Sequence, residues 1–207
     1  MRETLDMNGP IPTADGDAAL VAAIVSGRRD AFTLAFHRYR ADVYRFARHM
    51  TGDADVADDV TQDTFLTLMQ APERFDPERG ALRAFLLGIA RNLVARRLRD
   101  QRWWAPPALD AALEPPTDDD GPFERLCRAT DVARVQGAVE HLATPFRDTL
   151  VLCDLLGLSY DEAAASLGCP VGTVRSRLYR ARRLLADALA GDAVTATVEE
   201  GVKRCLA

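Results

Sequence analysis

The segment from Leu158 to Arg183 constrains this chain most, because its residues dictate two short helices meeting at a tight turn. Ser159 and Glu162 have capping-box spacing, so each can satisfy a free backbone N–H at a helix start. Gly168 ends that helix, and Pro170 suits the first turn of the next, where its missing N–H costs nothing. Val174, Leu178, Ala181 and Leu185 then recur at four-three-four spacing, which puts them on one buried face. Arg175, Tyr179 and Arg182 fall on another face, with Thr173, Ser176, Arg177 and Arg180 alongside. An apolar back with a front of phosphate-binding and base-reading side chains is what a helix needs to lie in a DNA major groove. An ordinary amphipathic helix with a solvated basic face has the same composition, so the segment by itself leaves both readings open.

A chain of 207 residues can bury one sizeable core or two small ones. No run of eighteen apolar residues exists, which predicts no membrane span, and Met1 to Asp6 lacks the pattern of a secretory signal. The four cysteines, Cys127, Cys153, Cys169 and Cys205, lie far apart without the short paired spacing of a zinc or redox motif. They read as reduced thiols of a cytoplasmic protein, with Cys153 a small apolar core residue. No metal site and no cofactor is expected.

Net charge is -5, which looks wrong for a DNA binder until it is resolved along the chain. Residues 81–104 hold Arg83, Arg91, Arg96, Arg97, Arg99 and Arg102 against Asp100 alone. Residues 170–190 hold Arg175, Arg177, Arg180, Arg182 and Arg183 against Asp187. Acid is concentrated elsewhere, in Asp53, Asp55, Asp58, Asp59 and Asp63 and again between Asp110 and Glu124. Each patch acts over a Debye length of ~8–10 Å, so two basic helices between acidic segments remain compatible with nucleic acid.

The pattern predicts an all-α chain of two small helical domains, residues 17–104 and 125–190. A proline-rich acidic linker, residues 105–124, joins them, and a tail covers residues 191–207. In the first domain Phe32, Phe36, Tyr39, Val43, Phe46 and Met50 mark one helix that Gly52 ends. A second covers Val56 to about Gln70, with Val56, Val60, Leu68 and Met69 inward and Asp55, Asp59, Gln62, Asp63 and Leu66 on the other side. A third covers Ala81 to about Arg102, with Leu82, Leu86, Ile89 and Leu93 inside. The loop between the last two, Ala71 to Gly80, has two prolines and one aromatic, Phe75, that reads as exposed.

At these residues a family resemblance appears. Asp55-Val56-Ala57-Asp58-Asp59-Val60-Thr61-Gln62-Asp63-Thr64-Phe65 resembles the signature of conserved region two in bacterial sigma factors, and Ile89-Ala90-Arg91-Asn92-Leu93 resembles its following helix. Gly157 to Ala164, with Gly172 to Leu178 and Arg180-Ala181-Arg182, resembles region four. Two such regions with a short linker are similar to the extracytoplasmic-function group. Phe85 stands where that family often carries tryptophan, and Ala163 where a bulkier aliphatic residue is usual.

The resemblance implies a protein without catalytic groups that binds core RNA polymerase and directs promoter-specific initiation, often in a stress response. It implies docking on the clamp helices of the polymerase's largest subunit through Asp55, Asp58, Asp59, Gln62, Asp63, Phe65 and Leu66, with the flap as a second polymerase contact. It implies capture of a flipped base of the minus-ten motif by Arg74, Phe75, Arg91 and Asn92, with Arg96, Arg97 and Arg99 drawing the DNA backbone. It assigns the minus-thirty-five motif to Thr173, Val174, Arg175, Ser176, Arg177, Tyr179, Arg180, Arg182 and Arg183. It also implies an anti-sigma factor that covers both domains together, the linker letting them change their mutual placement. Trp103 and Trp104 suit either DNA stacking or closure of the domain.

Other classes explain less. A helix-turn-helix regulator acting without polymerase would use residues 158–183 but leave the acidic helix and its loop idle. A sigma-like decoy would need no basic recognition face. An enzyme finds no support in His37, His49 and His141, which have no nucleophile or metal-ligand spacing around them.

Overall fold

The computed structural model describes residues 14–102 and 134–205, and no strand occurs among them. The first half holds α1 (Ala14–Val25), α2 (Arg29–Thr51), α3 (Ala54–Gln70) and α4 (Leu82–Arg102). The second holds α5 (residues 134–140), α6 (Thr144–Leu150), α7 (Tyr160–Leu167) and α8 (Val171–Cys205).

Local chemistry sets the boundaries. The α2 helix stops at Gly52, whose φ of 72° is left-handed and whose N–H donates to the Arg48 carbonyl at 2.9 Å. Asp53 restarts the chain by accepting from the Val56 N–H at 3.1 Å, which caps α3. Ala35, Tyr39, Val43, Phe46 and Met50 of α2 meet Ala57, Val60 and Leu68 of α3 and Leu82, Leu86, Leu87, Ala90 and Val94 of α4 in one buried core. Phe65 lies edge-on to Phe32 and Phe36, with ring centroids 6.4 and 4.9 Å away. The inward stripe of α4 therefore runs through Leu87, Ala90 and Val94, while Ile89 and Leu93 are only partly buried. Met69, expected inside, is 53% exposed at the end of α3.

Helix α1 is an element the sequence pattern does not announce. Its apolar run has no clean helical stripe, yet Leu20, Val21 and Ile24 are buried against the bundle. The Ala71–Gly80 loop is also more ordered than its prolines suggest, forming two 3-10 turns, Pro72–Arg74 and Pro77–Arg79.

In the second half Ser159 and Glu162 complete their capping box: Ser159 Oγ accepts from the Glu162 N–H at 3.2 Å, and Glu162 Oε2 accepts from the Ser159 N–H at 2.9 Å. Gly168 ends α7 with φ 63°. Val174, Leu178 and Ala181 anchor α8, which continues as helix to Cys205 through the stretch set aside as a tail. The linker residues 105–124 and the pair Trp103 and Trp104 lie outside the described residues.

The two halves pack together, α7 against α4 and the Val151–Leu155 turn against α2. Gly88 permits the approach: a Cβ there would lie 3.3 Å from the Ser166 carbonyl oxygen. Three arginines cross the seam. Arg83 donates to the Leu156 carbonyl at 2.7 Å, and Arg147 to the Met50 carbonyl at 2.9 Å near the end of α2. Arg91 donates to Asp148 Oδ2 at 2.8 Å.

Candidate nucleic-acid interface

Three surfaces carry the chemistry. The first is the outer face of α3, where Asp55, Asp58, Asp59 and Gln62 are exposed. Leu66 (45% exposed) and Met69 (53% exposed) stand one turn apart at its end, an uncovered apolar pair beside carboxylates. Phe65 does not share this face; it is 2% exposed and belongs to the core, because α3 turns it towards Phe32 and Phe36. Asp63 is half-buried, and with Asp59 it grips Arg97, each carboxylate 2.8 Å from a guanidinium nitrogen. That pairing holds the Arg97 guanidinium, expected on DNA, over the acidic helix; the Asp59 hydrogen bond leads the rise in its pKa.

The second surface is a cleft of about 330 Å³ between the Pro72–Arg79 loop, α4 and α7. Arg74, Arg79 and Asn92 reach its mouth from exposed positions. Phe75 is not exposed as its loop position suggested. It is 8% exposed and packs edge-on to Phe85 with centroids 5.7 Å apart, so its ring forms the cleft wall rather than a free stacking platform. Arg91 lines the same cleft but is held by Asp148, a carboxylate only 1% exposed. Burial pushes the Asp148 carboxyl pKa up, opposed by the Arg91 hydrogen bond and by the charges of Arg91, Arg147 and Arg177. Ala165 to Gly168 of α7 close the far side, so in this arrangement the cleft is roofed by the second half of the chain. Arg96 and Arg99 continue along α4, both exposed.

The third surface is the front of α8. Arg175, Ser176, Tyr179, Arg180 and Arg183 are exposed, Tyr179 by 65%. The Arg175 guanidinium lies 5.9 Å from the ring centroid of Tyr160, which steadies it against α7. Thr173 and Arg177 are half-buried. Val174 is fully buried and belongs to the core rather than to the DNA face, as its place in the four-three-four stripe requires. Arg182 makes two bonds to Asp154, at 2.9 and 2.7 Å, fastening α8 to the Val151–Leu155 turn. Met69, Asp148 and Arg83 had no signal as functional residues, although Met69 follows Leu66 at the spacing of one helical turn.

Comparison with known proteins follows the same division of the chain. The model for Sigma-70 region 2 matches residues 35–104, and that for Sigma-70, region 4 matches residues 133–185. The chain is also 41% identical over 181 residues to the ECF RNA polymerase sigma factor SigC of Mycobacterium tuberculosis, covering 85% of this chain and 95% of SigC. The chain belongs to the ECF RNA polymerase sigma factors. Such a sigma factor is not an enzyme; it binds core RNA polymerase and directs promoter-specific initiation. The RNA polymerase sigma factor CnrH of Cupriavidus metallidurans is 34% identical over 185 residues, covering 86% of this chain and 96% of CnrH. The structure of CnrH in complex with the cytosolic domain of CnrY superposes with TM-score 0.66 at 31% identity, over 86% of this sigma factor and 99% of that chain. The sigma factor RpoE of Bartonella quintana, solved with the anti-sigma factor NepR, shares the fold at TM-score 0.58, 24% identity and coverage of 85% and 97%. No described helix of this sigma factor is long and apolar enough to cross a membrane.

Proposed function

We propose that α3 is the polymerase-docking helix of this sigma factor, with Leu66 and Met69 as its apolar centre and Asp55, Asp58, Asp59 and Gln62 as its charged rim. The observation that carries this reading is the exposure of Leu66 and Met69 in a chain whose other large apolar side chains on α3 are buried or partly buried. An apolar centre with a polar rim is the anatomy of a protein interface, and the acidic rim suits a basic partner helix. Asp63 supports the rim from behind through Arg97.

The cleft bounded by Arg74, Phe75, Arg91 and Asn92 receives the minus-ten base, with Arg96 and Arg99 on the strand's backbone. The front of α8, led by Arg175, Arg177 and Tyr179, meets the minus-thirty-five motif, and Arg180 and Arg183 meet phosphate. The seam along Arg91, Asp148, Gly88 and Ser166 makes the present arrangement a closed one. Withdrawal of α7 from α4 widens the cleft for DNA, since both line it. CnrH is solved bound to the cytosolic domain of CnrY, and RpoE, which shares the fold, bound to the anti-sigma factor NepR; this supports a cytoplasmic anti-sigma partner here that selects the closed form.

The test is a binding titration with core polymerase. Leu66→Ala with Met69→Ala, and separately Asp59→Ala with Gln62→Ala, should each weaken association by at least tenfold while the melting temperature holds. Unchanged affinity in both would remove α3 as the docking helix.

A further inference from the structure

The role of α1 is not explained by either DNA surface or by docking, and all of it precedes the segment matched to region two. Its buried carboxylate is the clue. Asp17 is 1% exposed, accepts from the Tyr39 hydroxyl through Oδ1 at 2.7 Å, and accepts from the Leu82 N–H through Oδ2 at 2.8 Å. Leu82 is the first residue of α4, so Asp17 caps that helix from 65 positions away in sequence. Helix starts leave N–H groups without intrahelical partners, and a carboxylate satisfies both the donor and the dipole. Burial and the Asp17 bond raise the Tyr39 pKa, keeping its hydroxyl a donor.

The geometry links this cap to the cleft. The loop carrying Arg74 and Phe75 hangs between the end of α3 and Leu82, and α1 packs against both of its 3-10 turns. Asp17 thus pins the far end of that loop while Leu20, Val21 and Ile24 on the same helix join the core beside it. Phe75 meets Phe85 one turn into α4, so a shift of the α4 start moves the cleft wall.

We propose that Asp17 is a positioning residue for minus-ten recognition: it fixes the Ala71–Ala81 loop against α4 so that Arg74 and Phe75 hold the shape that a flipped base fits. This rests on the reading of the cleft as the minus-ten site. Asp17 touches no DNA and acts through Leu82 and the loop. A side chain that offers one acceptor to Leu82 and one polar group to Tyr39 can replace it, which makes Asp17→Asn the conservative variant.

The experiment uses holoenzyme reconstituted from core polymerase and full-length chain. Its substrates are two fork-junction DNAs, one carrying the intact upstream minus-ten base and one abasic there. The ratio of affinities for the two is the selectivity. Asp17→Ala should lower it roughly three- to tenfold, the scale of a lost hydrogen-bonded arrangement, and Asp17→Asn should restore most of it. Tyr39→Phe, which keeps the ring, is the milder variant should Asp17→Ala not fold. Val43→Ala, a core truncation with comparable loss of melting temperature, should leave the ratio unchanged. Equal loss in Val43→Ala, or full selectivity in both Asp17→Ala and Tyr39→Phe, would overturn the proposal. Arg74→Ala separates the two layers. If Arg74→Ala loses selectivity while the Asp17 variants keep it, positioning is wrong and the cleft stands; if Arg74→Ala also keeps it, the cleft reading falls and the proposal with it.

Discussion

Arg91 and Asp148 join the two halves of the chain through a 2.8 Å charge-assisted bond, although 57 positions separate them in sequence. Asp148 is 1% exposed and, among the described residues, its Oδ1 has no hydrogen-bond partner and Arg91 is its only hydrogen-bonded cation. On the reading proposed above, one residue serves two states: Arg91 faces DNA when the halves part and Asp148 when they close.

Removing Arg91 should therefore open the chain. Arg91→Ala leaves a buried carboxylate, an arrangement that costs about 3–5 kcal/mol where it cannot relax; here separation of the halves relieves it. Gly88→Val reaches the same end differently, by driving a side chain into the Ser166 carbonyl. Small-angle scattering should show a larger radius of gyration for both variants than for the parent chain. Equal radii would mean that the seam does not depend on these contacts.

The recognition helix should divide by role. Arg175→Ala should reduce discrimination within the minus-thirty-five motif by about 1–3 kcal/mol if its guanidinium reads a base edge. Arg183→Ala should weaken binding to all promoters alike and lower the salt slope by roughly one. Arg182→Ala should change that slope less, because Asp154 already neutralises it, and should instead loosen α8 from the Val151–Leu155 turn. Salt titration of holoenzyme binding distinguishes the three.

Acid should weaken the first half through His49. Burial, then the charges of Arg48 and Arg45, lower its pKa below the ordinary 6.5. The folded state therefore favours the neutral ring, and the unfolded chain takes up the proton first. Stability from His49 is complete above about pH 6.5 and is lost as pH falls through the lower folded value. Melting temperature measured from pH 7.5 to 5 should decline less steeply for His49→Gln than for the parent chain.

Much of this was legible in the sequence, for local reasons. The capping box at Ser159, the stop at Gly52 and the stripe Val174, Leu178 and Ala181 are short-range signals, and short-range geometry decides them. Side chains one position off a stripe were harder. Phe65 sits inside a motif whose neighbours face outward, and one residue of helical rotation separates core from surface; Val174 is on the buried stripe, and only the family resemblance set it among the DNA contacts. Met69 and Phe75 show the same limit in opposite directions: Met69 is apolar and exposed, and Phe75 lies in a proline-rich loop yet is buried by Phe85. The seam was not legible, since Asp148, Ser166 and Gly88 become neighbours only when α7 reaches α4. Helix α1 was missed because Asp17 caps α4 across a gap that no local pattern spans.

Permanganate footprinting tests the central claim most directly. The template is a promoter selected from a random-sequence library with this chain and core polymerase. The predicted result is that thymines within its minus-ten motif become reactive only when core polymerase and the chain are both present, and that Leu66→Ala with Met69→Ala abolishes the signal. Reactivity with core polymerase alone, or sequence-specific binding by the free chain with no opening when core is added, would contradict it.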